Sequence, residues 1–407
     1  MTIEFRATQP DEYRRAAEVV TTALMSPPPS DEQWDERGRA SWDDMPSYTA
    51  WDGDRCVGHV GHFLVETVVP GGARLGTGAV SRVGVLPTYR RRGIAKGLMH
   101  ELISDADRRG LPLMSLRASE ATIYERFGFG LAGEFCGIDL LPRRAGPIRG
   151  ADTTGSFRLL RPDEILDVLP GLYERVAFGR PGVITRPASW YPRLFKDAID
   201  GSKASFVAVH SNADGVDDGF VHYENGWDDD HPDGPTGKGE VLDAFGATPA
   251  VELALWQYLC DVDLVTRWKA TERPTDDTVR FACSDPRAYR VRSIDDEQWL
   301  RLVDVETALA ARTYAPVSDE VTIRVTDPLL PRNDGTYIVS ADGARRDDAA
   351  AADIRTDIVG LSAAYLGGAS WFTIASTGRA EASDPAAITR ADSLFRSTPA
   401  PFCGTFF

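Results

Sequence analysis

Residues 83–95, VGVLPTYRRRGIA, constrain the architecture more than any other stretch of the chain. Upstream, GAVSRVGVLP is rich in β-branched and small residues and reads as a strand. Downstream, Ile94, Leu98 and Leu102, with Met99, Ile103 and Ala106, keep the i, i+4, i+8 spacing of one buried helical face. This predicts a helix from about Arg92 to Arg109, closed by Gly110 and Pro112, with LPLMSLRAS as the next strand. Strand, helix and strand in that order form a crossover unit on a mixed sheet.

The turn itself poses an electrostatic question. Arg90, Arg91 and Arg92 stand at a helix N-terminus, where the macrodipole favours negative charge. The unpaired N–H groups of such a terminus bind phosphate readily, and arginines add charge-assisted donors. Gly93 has no Cβ to keep a ligand from the backbone, and the small Ala95 leaves the first turn uncrowded. Three arginines alone also suit a solvated basic turn. The preceding strand, the glycine three residues after Arg90 and a net charge of -16 over the whole chain make a focused anion site the better reading.

A length of 407 residues exceeds what one core supports, so two or three domains are expected. The acidic balance argues against a nucleic-acid or anionic-membrane partner and suits a cationic acceptor. No run of about eighteen apolar residues occurs, and MTIEFRATQPDEYRRA lacks a signal-peptide layout. Five scattered cysteines without CxxC spacing point to a reducing cytoplasm, with non-classical secretion left open. His59, His62, His100, His210, His222 and His231 lack metal-ligand spacing and read as structural, HPDG at 231 as a turn, so no metal is expected.

Three segments follow. Residues 1–145 read as strand, helix, hairpins turned at WDGD and PGGAR, and the crossover unit. Residues 150–288 repeat that order, but their strand-to-helix turn, DAFGATPAVE, has no arginine and one glycine, as in a degenerate duplicate. Residues 289–407 form a third α/β unit with a hairpin in DEVTIRVTDPLLPRNDGTYIVSADG.

VGVLPTYRRRGIA resembles the acetyl-CoA-binding motif of the GNAT superfamily of N-acetyltransferases, whose pattern is Arg or Gln, two residues, Gly, one residue, Gly or Ala. Arg90, Gly93 and Ala95 match it. The resemblance implies that Val83, Gly84 and Val85 hold the pantetheine arm and thioester carbonyl. It also implies that the diphosphate rests on Arg91, Arg92, Gly93, Ile94, Ala95 and Lys96. SLRASEATIYERFGFG (115–130) resembles the family's second signature, a strand and short helix leading into Tyr-x-x-Phe-Gly-Phe. Ser119 is a candidate cap for that helix; in the family it also approaches the cofactor, as the Glu120 backbone does. Expulsion of a thiolate calls for a proton donor, and Tyr124, with an ordinary pKa of about 10, suits the role. By residue type alone it could equally pack in the core with Phe127 and Phe129.

The whole chain is similar to the Eis (enhanced intracellular survival) family: an active acetyltransferase domain, an inactive copy and a sterol-carrier-like domain, all mixed α/β. The specific motifs lie in the first third, with LWQYL and LVDVETALAARTY as general similarity beyond it. The family implies a general base at the C-terminal carboxylate, here Phe407, whose segment PAPFCGTFF bears no charged side chain. It further implies a homohexamer and a large, acidic, aromatic pocket for aminoglycosides and other polyamines, often acetylated at several amines, a basis for antibiotic resistance. Trp34 is the candidate acceptor wall, with Asp31, Glu32, Asp35 and Glu36 as sources of negative potential or as solvated loop charges. Arg82 departs from the family, which often has an aromatic residue there, and places a cation near a site meant for cationic acceptors. Two other readings fit the same residues: a protein lysine acetyltransferase, and a lipid-binding or scaffold protein with a relic acetyltransferase fold.

Overall fold

The computed structural model describes residues 3–34, 39–229 and 236–407; Asp35, Glu36, His231 and the HPDG turn lie outside the described residues. Alternating apolar residues and two tight turns lay the N-terminal strands down as a meander. β1 (Glu4–Ala7), β2 (Ser47–Asp52), β3 (Arg55–Val68) and β4 (Arg74–Val85) pair antiparallel in chain order. Gly53 at the β2–β3 turn and Gly71 and Gly72 at the β3–β4 turn take the left-handed backbone expected of WDGD and PGGAR. The helix Ile94–Arg108 then carries the chain to β5 (Leu113–Leu116), which runs parallel to β4. Its apolar stripe is buried: Ile94, Leu98, Met99, Leu102, Ile103 and Ala106 pack against Ala50, Val57, Val60, Val80, Met114 and Leu116.

The chain divides into two compact units. The first holds Met1–Gly133, Gln298–Ser397 and Phe406–Phe407, and the second Glu134–Glu297 and Thr398–Thr405. In the second, β6 (Gly130–Leu140, whose first four residues belong to the first unit), β7 (Ser156–Leu159), β8 (Ser205–Ser211), β9 (Asp217–Asp228), β10 (Thr236–Gly246) and β11 (Val265–Pro274) lie in the order β6-β11-β10-β9-β8-β7. β10 and β11 are parallel and joined by the helix Pro249–Cys260, repeating the β4–helix–β5 arrangement. Trp256, Leu255, Leu259 and Trp268 centre the core of this unit.

In the first unit, the last residues of β12 (Tyr289–Leu302) pair antiparallel with β5, Trp299 opposite Leu116 and Leu302 opposite Leu113. The C-terminal third adds a five-stranded sheet in the order β15-β14-β13-β16-β17. Its strands are β13 (Val321–Thr326), β14 (Gly335–Ser340), β15 (Gly343–Arg346), β16 (Ile354–Asp357) and β17 (Ala380–Ala382). The β13–β14 pair is the hairpin expected from the alternation at 319–343. Its core is continuous with the N-terminal sheet: Val69, Leu113 and Ala132 share one cluster with Leu300, Leu302, Val325, Leu361 and Trp371. No helix among the described residues is long and apolar enough to cross a membrane.

Candidate active site

The site begins at an irregularity in β4. His59 pairs with Gly84 and Gly61 with Ser81, so Arg82 and Val83 together oppose Val60 in a β-bulge. Arg82 takes a φ of 55° there. The parallel ladder between β4 and β5 ends at Val80 opposite Leu116, while pairing with β3 continues to Val85. Val83, Gly84 and Val85 therefore carry backbone groups that the β4–β5 ladder does not use, and both valines remain half-buried.

Beyond β4 the chain reverses through Arg91 at φ 61° and Gly93 at φ 77° into the helix Ile94–Arg108. The first helical bond runs from Gly97 N–H to the Gly93 carbonyl at 3.0 Å. The amides of Ile94, Ala95 and Lys96 lie ahead of it, and Gly93 supplies no side-chain cap. A Cβ built on Gly93 meets nothing within 4 Å, so this helix start has both donors and room for an anion. The duplicate closes the equivalent place. There the Thr248 hydroxyl accepts from Val251 N–H at 3.3 Å, and Pro249 has no N–H to offer.

The three arginines are not equivalent. Arg92 lies over the Tyr89 ring at 4.7 Å and donates to the Thr88 carbonyl at 3.3 Å, and the Tyr89 hydroxyl donates to Asp52 at 2.9 Å. Arg92, exposed like Arg90, Arg91 and Lys96, thus also shapes its own turn.

Tyr124 precedes the short helix Glu125–Phe127 and is buried, edge-on to Phe129 at 6.2 Å. Its carbonyl accepts from Phe127 N–H at 2.9 Å and Phe129 N–H at 3.4 Å, which closes the turn on it. Burial raises the phenol pKa and the Glu120 carboxylate adds to the rise, while a hydrogen bond with Ser119 opposes it. A phenol so placed keeps its proton at neutral pH. Ser119 does not cap the helix Ala121–Ile123: Glu120 occupies the cap position, without a side-chain bond, and the serine turns to Tyr124 instead.

The chain end is ordered. In the second unit, Glu297 accepts from the Cys403 and Gly404 amides, both at 2.8 Å. Arg186, paired with Asp243, donates to the Thr405 hydroxyl at 2.9 Å and the Gly404 carbonyl at 3.2 Å. Phe406 and Phe407 belong to the first unit, as Tyr124 does. Phe406 is exposed over the Arg117 guanidinium at 5.3 Å, and Phe407 is only 8% exposed. Sequence reasoning missed Glu297 and Arg186. Neither carries a local motif, and the chain-end groups they hold lie more than a hundred residues away in sequence.

Trp34 is buried against Trp42, ring centres 6.2 Å apart. Asp31 pairs with Arg14, and Glu32 is exposed. The Arg82 guanidinium lies over Trp42 at 4.4 Å and near Phe63 at 5.4 Å, and donates to the Ser41 carbonyl and hydroxyl at 3.0 and 2.8 Å. His59 Nδ1 meets the Arg82 carbonyl at 2.8 Å, while His62 meets Asp105 at 3.2 Å. No group of three or more metal-binding side chains occurs among the described residues.

Comparison with known proteins agrees with this architecture. Residues 4–132 and 182–302 each match an acetyltransferase (GNAT) domain family, and residues 305–404 match a sterol carrier protein domain. An N-acetyltransferase of Streptomyces avermitilis is 35% identical over 88% of each chain. The N-acetyltransferase Eis of Mycobacterium tuberculosis is 31% identical over 86% of this chain and 85% of its own. The crystal structure of Eis1 from Mycobacterium abscessus, 34% identical, superposes over 100% of both chains with a TM-score of 0.87. An uncapped helix start after β4 in the first domain, a capped one in its duplicate and similarity along nearly the whole length converge: the chain is an N-acetyltransferase of the Eis family within the GNAT superfamily.

Proposed function

We propose that this enzyme transfers the acetyl group of acetyl-CoA directly to a primary amine of a polyamine acceptor such as an aminoglycoside, at more than one position. The observation that carries the donor assignment is the uncapped start of the helix Ile94–Arg108, directly after a strand whose ladder to β5 has ended. Its amides, with Arg90 and Arg91, would hold the diphosphate, and Val83 to Val85 the pantetheine arm. Ser119 and Glu120 border the thioester in this reading. The amine nitrogen attacks the carbonyl carbon and the carbon–sulfur bond breaks. The Tyr124 phenol protonates the departing sulfur, and the Phe407 carboxylate accepts the proton lost by the amine. The working domains are 1–145, 150–288 and 289–407, assembled as a homohexamer, which light scattering tests.

Tyr124→Phe and deletion of Phe407 are each expected to lower kcat by about 100-fold or more, the usual contribution of a positioned acid or base. The assay is thiol release with acetyl-CoA and an aminoglycoside panel, followed by mass counting of acetyl groups. Normal turnover in either variant removes that residue from the mechanism. A second reading, a protein lysine as acceptor, is favoured by Arg82: a fixed cation on the aromatic cluster beside Trp34 opposes a polycation more than a single amine. Peptides in the same assay distinguish the two.

A further inference from the structure

The Tyr124–Phe129 turn is gripped from the far end of the chain. Gly128 stands at φ 87°, and a Cβ built on it would lie 1.6 Å from Arg301 Nη1. Arg301, on β12, is fully buried, as is the Asp327 carboxylate it meets, with Nη2 donating to both oxygens at 3.0 and 2.9 Å. Asp327 also accepts from Leu329 N–H, Leu330 N–H and the Asn333 amide, so its position is fixed independently of the arginine. Among the described residues, Arg301 Nε and Nη1 have no hydrogen-bond partner. A buried guanidinium with idle donors is a poor device for stability, since an apolar side chain would fill the space at lower free energy.

A second hold acts on the same turn. Glu125, the residue after Tyr124, receives Arg379 Nη2 at 2.7 Å, and Arg379 Nη1 is itself held by Asp357 at 3.1 Å. The strand that leaves the turn is also confined: a Cβ on Gly130 would lie 2.2 Å from the Val359 carbonyl. All of these contacts lie within the first unit.

We propose that Arg301 and Arg379 are positioning residues for acetyl transfer, which hold the Tyr124 hydroxyl in place by fixing the turn at the Gly128 backbone and the Glu125 side chain. The sterol-carrier-like part of the chain then serves the chemistry of the N-terminal domain as a brace. This rests on Tyr124 being the proton donor. A displacement of about 1 Å in a reacting group lowers turnover by up to about 100-fold, so loosening the brace is expected to act on kcat rather than on the KM for acetyl-CoA.

The test is a double-mutant cycle in the full-length chain with Glu125→Ala, Arg379→Ala and the double variant, alongside Arg379→Lys and Arg301→Lys. kcat and the KM for acetyl-CoA are measured at equal folded concentration, checked by melting temperature. Each alanine variant is expected to lower kcat about tenfold with KM unchanged within twofold. The double variant should match the singles, and Arg379→Lys should recover most of the loss. Arg301→Lys should lower kcat in the same sense; if it does not fold, the exposed pair still decides. Wild-type kcat in Arg379→Ala, or losses that multiply in the double variant, overturns the proposal. Tyr124→Phe separates the premises: if it turns over normally the donor assignment fails, and if it is dead while Arg379→Ala is normal only the brace fails.

Discussion

Two glycines with the same backbone should respond very differently to alanine. Gly93 and Gly128 have φ of 77° and 87°, so each substitution incurs the left-handed penalty, about 1–2 kcal/mol. At Gly93 nothing lies within 4 Å of the new Cβ, and the backbone penalty is the whole effect. At Gly128 the new atom would overlap Arg301 Nη1. The end of an arginine side chain ordinarily moves aside at little cost, but this one is fully buried and pinned by Asp327. Displacing it breaks a buried ion pair, worth about 3–5 kcal/mol when one partner is lost. Gly128→Ala is thus expected to destabilise by about 4 kcal/mol or more, against a total stability of about 5–15 kcal/mol for a typical fold. Urea unfolding followed by tryptophan fluorescence measures both variants under one protocol. In an Asp327→Ala background the extra cost at Gly128 should shrink, because the guanidinium is no longer pinned. Gly128→Ala within about 1 kcal/mol of Gly93→Ala would refute the steric reasoning, since the two then share only the backbone penalty.

Three further outcomes follow from the same contacts. Glu297→Gln weakens the acceptor of the Cys403 and Gly404 amides, so carboxypeptidase should release Phe407 faster than from the parent chain; equal release rates would mean the tail is held elsewhere. Burial lowers His59 from near 6.5 to about 3, and burial with the Arg186 charge lowers His222 to about 4. Both take up protons on unfolding, so stability should fall as pH drops from about 6.5 towards those values, and the melting temperature of His222→Gln should decline less steeply from pH 7 to 5. A fragment ending at residue 145 exposes Val69, Leu113 and Ala132, which pack with Leu300, Leu302 and Val325 in the intact chain. It should aggregate or bind a hydrophobic dye, and a soluble, active fragment would contradict the shared core.

The crossover unit was legible because its signals are local: a helical apolar period at 94–106 after a β-branched run, with glycine and proline at the ends. The order of the duplicate was legible for the same reason. The third unit reads as opening at residue 289, and the chain from Tyr289 runs as one strand to Leu302, whose exposed first half tolerates charge and whose buried end carries Arg301. Ser119 reads as a cap because serine favours that place; a buried phenol within reach won the hydroxyl instead.

By itself the sequence determined the element order of the crossover unit, the uncapped helix start that follows β4 and the family resemblance, because their signals are local periodicities and short motifs. Only the tertiary structure decided what distant charges do. Arg82 is a stacked cation within an aromatic cluster, Arg92 a brace for its own turn, and Arg301 and Arg379 grips on Tyr124's turn. A charge has no preferred partner in sequence. Burial makes it costly to leave unmatched, so the fold, by choosing which carboxylate or ring lies beside it, assigns its role.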